Sequence, residues 1–164
     1  MLGGRRLAIV LPAKGPQMTP DGVMQLRVRR LRESARLPHR ASDGATGLDI
    51  YASLESDLEL GPAPIIVPAG IAIEFPAGYD VQVRPRSGLS SKGVGVAFGT
   101  IDSDYRGELL VTMWTFGGRD RYLLHDGDRI AQLVVARLAP LAIVEVETLS
   151  PTPRGEGGHG STGR

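Results

Sequence analysis

The sequence has no cysteine and few aromatic residues, and each absence excludes something. Without cysteine the chain cannot form a disulfide, hold a metal through thiolates or use a cysteine nucleophile. Aromatic residues make up only 5% of the 164 residues, so the core must rest on Val, Ile, Leu and Ala. The three histidines, His39, His125 and His159, are too scattered along the chain to suggest a local zinc motif.

A strong net charge and a long apolar run are also absent. The formal net charge of +1 gives no global field that would attract nucleic acid or a membrane surface, and we expect neither as a partner. No run approaches the roughly 18 apolar residues of a membrane span. The apolar stretch at residues 7–11 is shorter than a signal-peptide core. We therefore expect a cytoplasmic protein with one domain of ordinary size.

Composition divides the chain into three parts. Residues 1–24 contain helix- and strand-breaking prolines and glycines and are predicted to form a disordered or loosely attached extension. Residues 25–149 carry short β-rich runs separated by turn signals. Residues 150–164 are rich in glycine and are predicted to form a flexible tail that needs a partner to order it.

The central part is predicted to be all-β. No window sustains a helical pattern for three turns, so helix is expected only as about one turn near residues 89–92. Many short strands with regular turns predict a jelly-roll-like double β-sheet or barrel. The predicted strands lie at residues 47–52, 65–67, 71–75, 80–84, 94–98, 109–116, 129–135 and 142–146.

A basic cluster precedes these strands. It alternates with Leu26, Val28 and Leu31, which are predicted to point inward. The cluster is either a phosphate-binding patch or the solvated face of an edge strand. Its members are Arg27, Arg29, Arg30 and Arg32.

Residues 99–108 are the most informative stretch. They place Asp102, Asp104 and Tyr105 between Gly99 and Gly107, in a hairpin-like turn ahead of an apolar strand. Glycines let a ligand approach the backbone, and an acid beside them can act as a general base. A polar β-turn with solvated acids is the simpler interpretation of this segment alone.

Two further segments suggest anion binding. Arg86, Ser87 and Gly88 follow a strand and combine a guanidinium, a hydroxyl and a flexible glycine, as in a phosphate cradle. A capped turn with a surface arginine is the alternative. The tail at residues 154–163 interleaves five glycines with Arg, His, Ser and Thr, which could wrap a polyanion and order over it. A plain flexible linker is the alternative there.

Two strand segments carry polar residues. Asp49 lies in an otherwise apolar strand, where an unpaired charge would be costly, or else caps a turn at the strand end. At residues 127–133 a turn runs into a strand. There Asp128 and Arg129 could simply pair with each other, and Gln132 could face either side.

Taken in order, these five segments resemble the trimeric dUTP pyrophosphatases (dUTPases) across residues 25–163. The resemblance implies a β jelly roll that hydrolyses dUTP to dUMP and pyrophosphate, which keeps uracil out of DNA and supplies the precursor of thymidylate. It also implies a homotrimer with three shared active sites. The segments are Ala45-Thr46-Gly47-Leu48-Asp49-Ile50, Arg86-Ser87-Gly88-Leu89, and residues 99–108, 127–133 and 154–163.

The resemblance assigns roles at the hairpin. Asp102 would orient and deprotonate the water that attacks the α-phosphorus. Tyr105 would pack under the deoxyribose and leave no room for a 2′-hydroxyl. Backbone groups from Val96 to Ile101, including Gly99 and Thr100, would read the uracil.

The remaining roles concern the triphosphate. Ser87 and Gly88 would hold the phosphates, supported by Arg86 and Gln132, while Mg²⁺ would bind mainly to triphosphate oxygens and waters. Asp49 would act from the second coordination shell of that ion rather than as a direct ligand. The hairpin would come from a second subunit and the tail from a third. The tail residues implied in substrate binding are Arg154, His159, Gly160, Ser161 and Thr162.

Two residues depart from the family pattern. His159 stands where the family usually has a Phe that stacks on uracil, so tail closure is predicted to be weaker and pH-sensitive between about 6 and 7. Val96 stands where several members have an Asn that helps read the base, so base recognition would rest on the main chain.

Two other functions stay open from the sequence. A dCTP deaminase shares the fold and the Arg-Ser motif, and Glu108 would be its only nearby candidate for the deaminating acid. A non-catalytic regulator could use a nucleotide-gated tail to engage a partner, with residues 1–24 as a further contact.

Overall fold

The computed structural model describes residues 18–157, which form eleven short strands and one four-residue helix. No helix within these residues is long or apolar enough to cross a membrane. The strands are β1 (Arg27–Arg30), β2 (Leu48–Tyr51), β3 (Leu58–Leu60), β4 (Ile65–Pro68), β5 (Ile71–Glu74), β6 (Tyr79–Arg84), β7 (Val94–Val96), β8 (Gly99–Ile101), β9 (Leu110–Thr115), β10 (Tyr122–Leu124) and β11 (Arg129–Arg137), and helix α1 is Ser87–Ser90.

Two larger sheets enclose one core. The first has the order β2-β11-β6-β8 and the second the order β4-β9-β7, with all described pairs antiparallel. Two-stranded pairs, β1-β5 and β3-β10, complete the framework. Buried side chains from both sheets form a single cluster, as expected for a double-sheet jelly roll built on aliphatic residues.

Strand register decides which residues face outward. Gln132 lies opposite Asp49 on one side and opposite Arg84 on the other, so these three side chains share one face of the first sheet. The next row pairs Leu133 with Val83, and both are buried. Because side chains alternate between the two faces of a strand, the polar residues of these three strands lie together on the face opposite the core.

The predicted all-β architecture is confirmed, and seven of the eight predicted strands are present with shifted ends. The helical turn lies at Ser87–Ser90, two residues earlier than predicted. The sequence analysis missed β3, β8 and β10, because strands of three residues are too short to show alternation.

The predicted strand at residues 142–146 is wrong, since this segment has no regular structure here. Its apolar side chains face solvent, with Ile143 93% and Val144 74% exposed, and Leu141 just before them is 80% exposed. A strand needs a neighbour to pair its backbone groups, and no described strand of the same chain lies beside this one. The sequence pattern was that of a strand, but no strand within residues 18–157 pairs with it.

The basic cluster belongs to an edge strand. Leu26 and Val28 pack against the core, as predicted, but Leu31 is 40% exposed. Arg27 forms a 2.6 Å ion pair with Glu74, and Arg32 pairs with Glu108, while Arg29 and Arg30 face solvent. Two of the four arginines are therefore engaged in holding neighbouring segments.

Candidate active site

The hairpin after β8 has a defined internal structure. The Tyr105 N–H donates to the Asp102 carbonyl at 3.1 Å, which closes the turn. The Tyr105 hydroxyl donates to the Glu108 carbonyl at 3.0 Å. The Tyr105 ring lies against Gly107, where a Cβ would approach the ring carbon Cζ to 2.5 Å. A side chain at position 107 would therefore displace the ring, which explains why this position is glycine.

A cavity opens between this hairpin and the end of β6. Its lining includes Gly99, Thr100, Ile101, Asp102 and Tyr105, so the structure brings these five predicted residues together. Asp102 is exposed, and within residues 18–157 its carboxylate makes no ion pair or hydrogen bond. The carboxylate is therefore available to accept a proton from a water in the cavity.

The hairpin is anchored to the body of the fold by two ion pairs. Arg106 Nη2 lies 3.2 Å from Glu74 Oε1. Glu108 receives a two-pronged contact from Arg32 and a 2.8 Å hydrogen bond from the Gly70 N–H. The hydrogen bond from Arg32 is the main cause that lowers the pKa of Glu108, although burial opposes it. Glu108 is thus held as an anion.

A second cluster forms around Asp49 on the outer face of the first sheet. Asp49 is 3% exposed, and its Oδ1 accepts from Arg86 Nε at 3.1 Å and lies 3.5 Å from Gln132 Nε2. Its Oδ2 lies 3.3 Å from Arg129 Nη1. A buried carboxylate is tolerated when it is paired and hydrogen-bonded, so Asp49 is not a simple turn cap. Gln132 faces this cluster.

Arg129 is a member of the site that the sequence analysis missed. The simple pairing with Asp128 does not occur; Asp128 Oδ2 instead accepts the His125 N–H at 2.9 Å. The Arg129 carbonyl also accepts from Arg86 Nη1 at 3.1 Å. Two features of the sequence could have identified Arg129 as a partner of Asp49. A buried Asp49 requires cationic partners, and Arg129 lies in another of the five segments.

Ser87 and Gly88 begin helix α1 directly after Arg86, and both are exposed. Arg86, Gly88 and Arg129 line one shallow cavity. A Cβ at Gly88 would meet no atom within 4 Å, so packing within this chain does not require glycine there. Close approach of a ligand is a reason for glycine at such a position.

The two clusters lie apart in the chain. In the antiparallel pair of β6 and β8, Ile101 lies opposite Val81, so Asp102 lies beside Asp80 near the start of β6. Arg86 follows the other end of β6. Six residues of extended backbone separate those levels, roughly 20 Å at about 3.3 Å per residue. One chain therefore does not bring Asp102 and Arg86 into contact with the same small ligand.

Other predicted residues lie outside both clusters. Val96 is 4% exposed, lies opposite Met113 in the second sheet and does not line the hairpin cavity. Arg154 is exposed, and its Nε donates to the Gly157 carbonyl at 2.7 Å within its own turn. His159, Gly160, Ser161 and Thr162 lie outside the described residues.

No group of three or more His, Cys, Asp or Glu side chains in residues 18–157 could hold a metal ion. The buried carboxylate of Asp49 is already bonded on both oxygens. The donor set thus suits a cation that arrives with most of its ligands supplied by phosphate oxygens and water.

Comparison with known proteins gives one consistent result. A family model for dUTPases matches residues 33–163. The deoxyuridine 5′-triphosphate nucleotidohydrolase of Hydrogenobaculum sp. (strain Y04AAS1) is 44% identical over 144 residues, covering 85% of this chain and 99% of its own. The corresponding protein of Anaplasma marginale (strain St. Maries) is 47% identical over 131 residues, covering 77% of this chain and 88% of its own.

Solved structures agree. The dUTPase of Staphylococcus bacteriophage 80alpha with dUpNHpp has a TM-score of 0.73 and 28% identity, covering 85% of this chain and 99% of its own. A mutant dUTPase from phage phi11 of S. aureus, in which the coordination of a structural Mg(II) ion was determined, has a TM-score of 0.67 and 26% identity, covering 76% and 97%. The chain belongs to the dUTPase family.

Proposed function

We propose that this protein hydrolyses dUTP to dUMP and pyrophosphate. The observation that carries the proposal is the hairpin cavity, where the carboxylate of Asp102, which has no partner within residues 18–157, faces the same space as Tyr105 and the backbone of β8. Asp102 orients a water molecule and takes its proton as the oxygen attacks the α-phosphorus. The attack breaks the bond to the bridging oxygen, and pyrophosphate leaves.

Tyr105 selects the sugar. Its ring is fixed by the hydroxyl contact to the Glu108 carbonyl and by Gly107. In the proposed complex the ring packs under the deoxyribose and leaves no space for a 2′-hydroxyl, so UTP is rejected by steric exclusion. The main chain of Gly99, Thr100 and Ile101 lies beside the same space and reads the edge of the uracil.

The Asp49 cluster binds the triphosphate. Arg86 uses Nε for Asp49 and Nη1 for the Arg129 carbonyl, which leaves Nη2 for a phosphate oxygen. Two arginines share one buried carboxylate, so a net positive charge stays at the surface beside Ser87 and Gly88. Asp49 thus aims Arg86, and phosphate oxygens bind where the charge is not neutralised.

The active site is shared between three subunits. Roughly 20 Å of strand separates the level of Asp102 from Arg86 within one chain. The apolar residues around Ile143 are exposed and no strand within residues 18–157 pairs with them, which supports packing of the arm at residues 138–149 against another subunit. Residues 150–164 then close over the site of a neighbour, where Arg154, Ser161 and Thr162 hold the γ-phosphate and His159 covers the base.

When bound with the substrate, Mg²⁺ would supply positive charge beside the triphosphate oxygens. The described residues contain no carboxylate cluster that would coordinate it directly. What the chain supplies is the guanidinium of Arg86 and the hydroxyl of Ser87 beside those oxygens.

The geometry disfavours deamination of dCTP. Glu108, the candidate acid, is bonded to Arg32 and to the Gly70 N–H, and its pKa is lowered mainly by the hydrogen bond from Arg32. A carboxylate held in this way is a poor proton shuttle near neutral pH.

Product analysis tests the proposal. Full-length protein is incubated with Mg²⁺ and dUTP, dCTP or UTP in parallel reactions. Formation of dUMP and pyrophosphate from dUTP alone supports the reaction, the base preference and the sugar selection together. Release of dUTP from dCTP would move the chain to the deaminases, and no turnover of any nucleotide would favour the regulator.

A further inference from the structure

The position of the Tyr105 ring depends on a chain of contacts that begins at Arg32, two residues after the end of strand β1. The Tyr105 hydroxyl is held by the main-chain carbonyl of Glu108, at 3.0 Å. The position of the ring is therefore set by the position of residue 108, three residues further along the chain. Any shift of that carbonyl moves the hydroxyl with it.

Residue 108 is itself held through its side chain. The Glu108 carboxylate contacts both terminal nitrogens of Arg32 and accepts the Gly70 N–H at 2.8 Å. A bidentate arginine–carboxylate pair fixes direction as well as distance. The next residue, Leu109, donates its N–H to the Ile71 carbonyl at 2.7 Å. The base of the hairpin is thus fixed against Gly70 and against Ile71, the first residue of β5.

Gly70 is constrained to take part. Its φ is +67°, and a Cβ there would lie 2.8 Å from the Ala35 Cβ, so only glycine fits this turn. The Gly70 carbonyl accepts the Leu31 N–H at 2.8 Å, next to Arg32 in the chain. Arg32 and Gly70 are therefore held next to each other, and both donate hydrogen bonds to the Glu108 carboxylate.

We propose that the Arg32–Glu108 pair is a positioning pair that sets discrimination between deoxyribose and ribose by holding Tyr105. The inference rests on the proposed function, because it uses the contact of Tyr105 with the sugar. Steric exclusion of one hydroxyl needs the ring within a fraction of an ångström of its place. Loss of the pair lets the hairpin relax and opens space for the 2′-hydroxyl.

The test compares kcat and KM for dUTP and UTP in Glu108→Gln, Arg32→Gln and Arg32→Lys. We expect the dUTP/UTP ratio of kcat/KM to fall about tenfold or more in the first two variants. Arg32→Lys should lie between them and the wild type, because lysine keeps the charge but lacks the fork. Arg29→Gln is the matched control, since Arg29 is exposed on β1, three residues before Arg32, and has no ion-pair partner within residues 18–157.

A merely structural role would have a different result. It would lower kcat/KM equally for both nucleotides, and a dUTP/UTP ratio that stays within twofold in Glu108→Gln and Arg32→Gln would overturn the proposal. An equal fall of the ratio in Arg29→Gln would overturn it too.

A second measurement separates this proposal from the proposed function. Crystal structures of the ligand-free wild type and Glu108→Gln report the distance from the Tyr105 hydroxyl to the residue 108 carbonyl. We expect this contact to be lost in the variant, even if the wild type does not hydrolyse dUTP. A Tyr105 ring that stays in place would refute the positioning role, whatever the substrate.

Discussion

The hairpin at residues 102–108 and the arm at residues 138–149 are both exposed, but they are held in opposite ways. In the hairpin, Arg106 forms an ion pair with Glu74. Glu108 forms an ion pair with Arg32 and accepts a hydrogen bond from the Gly70 N–H. The arm exposes apolar side chains, such as Ile143 at 93%, and has no regular structure. The hairpin is therefore preformed within the chain, whereas the arm is the segment that we propose to pack against a neighbouring subunit.

The strongest test of the preformed hairpin removes the general base and leaves the hairpin structure unchanged. Asp102→Asn should lower kcat by about 10²–10⁴-fold, because the general base is lost. KM and the melting temperature should change little, since the carboxylate has no partner within residues 18–157. Asp104→Asn, in the same exposed turn, is the matched control and should keep near wild-type turnover. A kcat for Asp102→Asn within tenfold of wild type would exclude the assigned role.

The arm is tested by adding charge to it. Ile143→Asp combined with Val144→Asp should prevent assembly, because buried unpaired carboxylates are costly at an apolar interface. Light scattering should then report monomers at micromolar concentration, and dUTP turnover should fall at least about tenfold. Glu145→Gln, which changes an exposed charged residue between Val144 and Val146, should assemble normally. A double variant that stays trimeric and active would mean that the arm is not an interface.

The Asp49 cluster combines features of both parts, because it is built within one chain and, in the proposed trimer, completes the site of another subunit. Asp49→Asn removes the charge that aims Arg86 and should raise KM for dUTP about tenfold. It should also destabilise the fold by about 1–3 kcal/mol, as expected for loss of hydrogen bonds to a charged group. Urea unfolding and steady-state kinetics measure the two effects.

The matched control for Asp49→Asn is Glu59→Gln, which neutralises an exposed ion pair with Arg121 at 3.7 Å. Such surface pairs contribute less than about 1 kcal/mol. Equal effects of the two substitutions on KM would argue against a role for Asp49 in aiming Arg86.

Acid should loosen the anchor of the hairpin. The pKa of Glu108 is lowered from 4.5, mainly by its hydrogen bond with Arg32. A carboxyl with a lowered folded-state pKa stabilises the protein above its unfolded pKa, and this stabilisation is lost as the pH falls through the folded pKa. Glu108→Gln should therefore be less stable than wild type at pH 7, by about 1–2 kcal/mol, and the gap should narrow below pH 4. Urea unfolding at both pH values would contradict this if the gap stayed constant.

The smallest expected effect concerns the tail. His159→Phe should lower KM for dUTP a few-fold and remove its pH dependence between about 6 and 7. The control is His125→Gln, because His125 is an exposed histidine far from the tail in sequence, and a hydrogen bond with Asp57 raises its pKa. An unchanged KM in His159→Phe at both ends of the range would refute the prediction.

Much of this architecture could be predicted from the sequence, since alternation and turn residues located seven strands. The same pattern predicted a strand at residues 142–146, which is wrong within this chain because a strand depends on a neighbour that the sequence does not name. Residues 99–101 formed part of a predicted turn, but they pair with β6 as strand β8.

The sequence predicted which types of residue form the candidate site, but it predicted few of the contacts between them. That Asp49 needed a cation followed from burial, but the choice of Arg86 and Arg129 depends on strand register and on the bulge between Arg129 and Ala131. Arg32 lies 76 residues from Glu108, and no local pattern links them. Long-range ion pairs of this kind are set by topology.

The distance between Asp102 and Arg86 along β6 has a genetic consequence. A chain with a defective hairpin still carries an intact Asp49 cluster, and a chain with a defective Asp49 cluster still carries an intact hairpin. If the active site is shared between three subunits as proposed, mixed trimers of two such chains contain some sites built from the intact part of each. The proposal then predicts that two alleles that are each inactive alone complement one another, and that a single defective allele reduces activity without abolishing it.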